Sequence, residues 1–82
     1  MEYDKDRIDD YTLALLFLVM CERYEGCGGR AWKGFDWDTI ERLHQKGFLG
    51  NPKGKAKSVV ITEEGYKKAE ELFWKFFGTQ EG

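Results

Sequence analysis

The sequence has little that would staple or anchor a small protein. It holds two cysteines, one proline and one histidine in 82 residues. Cys21 and Cys27 make no disulfide framework, so nothing ties the chain to an oxidising compartment. Their five-residue separation falls outside the Cys-x₂₋₄-Cys spacing of zinc sites, and His44 alone does not complete a ligand set. No metal and no other cofactor is expected. The longest apolar run, Leu13–Cys21, is nine residues, whereas a membrane-spanning helix takes about 20. Met1–Asp10 carries five acids against Lys5 and Arg7, unlike a secretory signal. The expectation is a cytoplasmic, soluble chain with no membrane partner.

Catalytic signatures are absent as well. No Ser–His–acid or Cys–His grouping can be assigned. The glycine loop Glu25–Gly29 matches neither GxGxxG nor GxxxxGK[ST], so no phosphate cradle is indicated. Asp36 and Asp38 are two apart and do not share a helix face. His44, beside Ile40 and Leu43, reads as a half-buried helix residue. The chain is not expected to be an enzyme.

What is present is a foldable core. The composition is 41% hydrophobic and 16% aromatic, too apolar for disorder. The length suits one domain, residues 1–82, with a frayed tail over 79–82. Apolar spacing predicts a first helix from about Asp6 to Tyr24, with Ile8, Tyr11, Leu15, Leu18 and Val19 on its stripe. Leu13, Leu16, Phe17 and Met20 widen that stripe, so the helix is either central or meets a second subunit. Cys21 belongs to its apolar side, and Cys27, in the glycine loop, is the more reactive thiol. Arg30–Gly34 reads as a short strand.

The second helix has clear ends. Asp36 is an N-cap, Phe35 and Ile40 form a staple, and Trp37, Ile40 and Leu43 face inward. After Lys46, Gly47 and Phe48 fit a Schellman ending on Leu43. Phe48–Ile61 reads as a hairpin turning at Asn51-Pro52-Lys53-Gly54, with Val59 and Ile61 on the core face. Thr62 caps a last helix whose inward stripe includes Tyr66, Ala69, Leu72 or Phe73, Phe76 and Phe77. Trp74 falls off that stripe.

The stretch Ile40-Glu41-Arg42-Leu43-His44-Gln45-Lys46-Gly47-Phe48-Leu49 resembles the end of a recognition helix feeding a first wing strand. Val59-Val60-Ile61-Thr62-Glu63-Glu64-Gly65-Tyr66-Lys67-Lys68-Ala69 resembles the second wing strand and following helix of MarR-like and PadR-like winged-helix regulators. The likeness covers about residues 36–77. The chain as a whole is also similar to short bacterial proteins of unknown function, which implies no activity. One departure stands out: Glu25–Phe35 is too short and glycine-rich to supply the extra helix of a full helix-turn-helix. The fold expected is α+β and winged-helix-like, reduced or altered: helix, short strand, helix, hairpin wing, C-terminal helix.

That resemblance implies a DNA-binding regulator. The charge is uneven: 13 basic and 15 acidic residues leave −2, yet Arg42–Lys57 contains five bases and no acid. Arg42, Gln45 and Lys46 on the second helix and Lys53, Lys55 and Lys57 along the wing are the candidate contacts to double-stranded DNA. Asp36, Asp38 and Glu41 on the same helix oppose them, and lysines on an exposed hairpin also serve to prevent edge pairing. The alternative is a protein-interaction module that no longer binds DNA. Tyr11, Leu18, Phe73, Trp74, Phe76 and Phe77 are the candidate interface, with a homodimer as the expected assembly. Trp32, Phe35 and Trp37 suggest a site for a small apolar effector, although core packing is the plainer reading.

Overall fold

A computed structural model describes residues 2–79. Three helices and three strands follow in the order α1 (Lys5–Leu18), β1 (Met20–Arg23), β2 (Gly29–Trp32), α2 (Trp37–Gln45), β3 (Ser58–Ile61) and α3 (Glu63–Phe77). The strands form one antiparallel sheet in the order β1-β2-β3. The architecture is α+β. The expected tail from Gln80 onward lies outside the described residues, and Thr79 is exposed without regular structure.

The first helix is shorter than its apolar run suggests. Asp4 caps it by accepting from the Arg7 N–H, and it ends at Leu18. Met20–Arg23, expected as its last turn, is a strand paired with β2, and Cys21 is exposed there. An apolar run of this length is compatible with either state, and the pairing partner decides. The buried face also differs from the expected stripe. Asp9, Thr12, Leu13, Ala14 and Leu16 face inward, while Leu18 faces solvent and Tyr11 is partly exposed at the edge of the contact with α3. α1 packs mainly on α3, and also on α2 and β2, as a central helix must.

The ends of α2 follow local chemistry closely. The Asp36 carboxylate accepts from the Thr39 N–H and hydroxyl at 3.2 and 3.0 Å. At the other end the Phe48 N–H reaches Leu43 O and the Gly47 N–H reaches His44 O, at 3.1 and 3.0 Å. Gly47 adopts φ +85°, the left-handed conformation a Schellman ending needs. Ile40 and Leu43 are buried, but Trp37 is half in solvent.

Arg30–Gly34 does contain a strand, shifted to Gly29–Trp32, and it is the central one. The wing is less regular than expected. Its outgoing arm reduces to a single bridge, Leu49 to Ile61, and its return arm begins only at Ser58. Residues 50–57 are a loop held from inside. Pro52 is buried beneath it, and Lys33 Nζ donates to Pro52 O and Gly54 O at 2.6 and 3.3 Å. Lys55 and Lys57 therefore lie on the loop and do not follow strand alternation.

α3 closes the core with Ala69 and Leu72. Gly65 lets its first turn approach the Phe48 carbonyl, because a Cβ there would overlap that oxygen. Leu13, Leu16, Ile40, Leu43, Leu49, Val59 and Ile61 complete the core. Burying each such side chain contributes about 1.5–3 kcal/mol before entropy is charged against it. The Cα atoms span 44 × 40 × 18 Å. That thickness allows about two layers, so one face of the sheet stays uncovered.

Candidate nucleic-acid interface

The six expected contact residues fall into two groups with different surroundings. Arg42 projects from α2 onto α1. Its Nε lies 2.9 and 3.1 Å from the two Asp9 carboxylate oxygens, and its Nη2 lies 2.8 Å from Asp9 Oδ1. The same Nη2 donates to Thr39 Oγ1 at 3.1 Å. Lys46, one turn on, reaches Asp9 Oδ2 at 2.8 Å and Asp6 Oδ1 at 3.1 Å. The Asp9 side chain is 1% exposed, against 24% for Arg42 and 35% for Lys46. Burial pushes the Asp9 carboxyl up, but hydrogen bonds and charge from Arg42 and Lys46 outweigh it and hold the group below its ordinary value. Hydrogen bonding to Asp9 likewise raises Arg42. Burial pushes the Lys46 ammonium down, and its bonds to Asp9 and Asp6 more than reverse this.

This network is a brace between α1 and α2. Two of the three helix residues expected to meet DNA are already engaged inside the chain. Gln45 is exposed and makes no side-chain hydrogen bond among the described residues. His44 is half-buried and donates Nδ1–H to Leu49 O at 2.9 Å. In the sequence Asp9 is only one of the five acids of Met1–Asp10. Its i, i+4 spacing from Leu13 was the available signal that it lies on the buried face.

The second group is the loop. Lys53, Lys55 and Lys57 are exposed, and none forms an ion pair among the described residues. An Asx turn, with the Lys53 N–H donating to Asn51 Oδ1 at 2.9 Å, shapes the loop's start. Two cations from β2 and its exit join this group. Lys33 sits beneath the loop through Pro52 O and Gly54 O. Arg30 donates to Ser58 Oγ and O at 2.9 and 3.2 Å. Neither had been singled out. The signal was there, since Gly26–Phe35 contains no acid and Arg42–Thr62 contains none either.

A separate polar clamp ties the glycine loop to α3. Glu63 Oε1 accepts from the Gly28 N–H at 2.7 Å and from Arg23 Nη1 at 3.1 Å. The Gly28 N–H first, and then Arg23, hold the Glu63 carboxyl below its ordinary range. The Arg23 guanidinium lies 3.6 Å above the Tyr66 ring.

The expected interface residues are partly used within the chain. Tyr11 stacks on Phe76 with centroids 4.2 Å apart. Phe17 packs against Phe73 at 5.1 Å. Leu18, Trp74 and Phe77 remain outward, with Leu18 64% and Trp74 61% exposed. Trp32 and Trp37 are also half in solvent, so neither is core, and Phe35 is half-buried. Cys21 and Cys27 are both free and exposed. Among the described residues, no three His, Cys, Asp or Glu side chains group as metal ligands. No helix among them is long and apolar enough to cross a membrane.

Residues 4–79 match the family described as Domain of unknown function (DUF6429). The chain belongs to this family. The DUF6429 match takes in every element from α1 to α3. The chain is also 51% identical over 77 residues to "Uncharacterized protein y4hR" of Sinorhizobium fredii (strain NBRC 101917 / NGR234), covering 94% of this chain and 97% of that protein. Neither match names a winged-helix regulator. No solved structure matches the chain.

Proposed function

We propose that the domain binds nucleic acid through loop 50–57, as a reduced winged helix whose wing rather than its helix makes the main contact. The carrying observation is the contrast between the two basic groups. Arg42 and Lys46 are neutralised by Asp9 and Asp6, whereas Lys53, Lys55 and Lys57 project from an acid-free segment supported by Lys33. Unpaired lysines gain by releasing counterions from phosphates, and this gain needs no base reading. In a regulator of this form, α2 stands where a recognition helix would, with Gln45 as its free base-reading side chain. The run of α2, the Leu49 bridge, β3 and α3 supports this reading, because a recognition helix, two wing arms and a following helix come in the same order.

The test is fluorescence anisotropy with a labelled random duplex and a labelled random single strand at about 50 mM salt. Binding should weaken at least about tenfold in a K53E/K55E double variant. Absence of binding to both probes would overturn the proposal.

A second reading has its own observation. Leu18, Trp74 and Phe77 are outward on the helical side, away from the loop lysines in sequence and element. Exposed side chains of this size suit a protein contact, and a second copy of the chain offers the same apolar surface. Dimerisation and nucleic-acid binding are compatible, because they use different elements.

A further inference from the structure

The sheet has one buried face and one open face. Gly29, Ala31, Val59 and Ile61 are buried. Strand alternation then turns Arg30, Trp32, Ser58 and Val60 to the other side. The register sets Trp32 opposite Ser58 and Arg30 opposite Val60. Trp32 is 52% exposed and Val60 41%. A tryptophan usually hides more of its ring than this, so an exposed one on an open sheet calls for a purpose.

Its neighbours are cations. Arg30 lies two residues before it on the same face, held in place by Ser58. Lys33 follows it directly, and the Lys33 N–H donates to Lys57 O at 3.0 Å. The lysine loop therefore leaves the sheet at the edge of the Trp32–Ser58 pair. The far side of the sheet is different: Glu22 of β1 pairs with Arg30 and accepts from the Tyr24 hydroxyl. A polyanion is favoured across β2, β3 and the loop, and disfavoured over β1.

We infer that this face binds single-stranded nucleic acid, with a base stacked on Trp32 and the phosphates held by Lys53, Lys55 and Lys57. The inference rests on the nucleic-acid reading above and names its ligand. An aromatic platform beside a basic groove binds single strands with little sequence preference, because every base has a π-face. In a duplex those faces are already stacked on each other, so a duplex engages the lysines alone.

The experiment compares a labelled oligo(dT) of about 12 nucleotides, and a duplex of equal length, by anisotropy at low salt. A W37F/W74F variant leaves Trp32 as the sole indole, since the chain has three tryptophans. The single strand should bind more tightly than the duplex and quench Trp32 fluorescence. W32A should weaken single-strand binding about tenfold while leaving duplex binding unchanged, and W32F should restore most of the loss. Equal affinity for both probes, or W32A binding oligo(dT) as wild type does, would overturn the inference and leave the lysine-loop reading intact. Binding of neither probe would overturn both. Matching circular dichroism of W32A, W32F and wild type separates loss of contact from loss of fold.

Discussion

Removing the Asp9 carboxylate leaves Arg42 without its ion-pair partner and Lys46 with only the exposed Asp6. Breaking a fully buried pair costs about 3–5 kcal/mol. Both cations here are partly exposed and can turn towards water, so D9N should cost less, about 2 kcal/mol, read as a lower urea midpoint. The same site sets an acid limit. A carboxyl held below its ordinary value stabilises the fold fully above about pH 4 and loses that contribution as pH falls through the lowered folded value. Wild type should therefore lose stability on acidification more steeply than D9N, with Glu63 contributing to both curves in the same direction. Parallel curves would contradict the brace. This residue was hard to read in advance because its partners lie 33 or more positions away. A sequence shows charges and their spacing, but the pairing that converts an acid into a core residue is made by the fold. For the same reason Arg42 and Lys46 looked available to a ligand.

At the scale of elements, local chemistry was legible and non-local pairing was not. Asp36, Thr62 and the Gly47–Phe48 ending all act within a few residues, and each sits where its type demands. Met20–Arg23 is a strand because β2 is there to pair with it. Loop 50–57 is irregular because Lys33 and Pro52 draw it inward, and neither contact has a signature in its own segment. Two glycines separate local from non-local cost. Gly47 has φ +85° with open space around it, so G47A should cost only the left-handed penalty, about 1 kcal/mol. Gly65 is helical but touches the Phe48 carbonyl, so G65A must push α3 away and should cost about 2–3 kcal/mol. Chemical denaturation of the two variants checks the order, and a larger loss for G47A would contradict the packing described between α3 and Phe48.

The whole molecule presents two unlike surfaces: an apolar helical side with Leu18, Trp74 and Phe77, and a basic loop flanking an open sheet. Much of the apolar side was visible in the sequence as an excess of aromatic residues in α3. Its division into stacked and outward rings was not, because the antiparallel meeting of Tyr11 with Phe76 and Phe17 with Phe73 is tertiary. If the outward rings meet a second copy, sedimentation should show a dimer at high micromolar concentration and W74E should return it to monomer. A wild-type monomer throughout would sink that reading without touching the nucleic-acid one. The basic side carries the central claim, and its most direct measurement is the slope of log affinity against log salt for the wild-type chain on a random duplex. Three lysine–phosphate contacts predict a slope of about −2.7, or about a 40-fold loss between about 50 and 200 mM salt. A flat salt dependence, or no binding at the lower salt, would contradict the account.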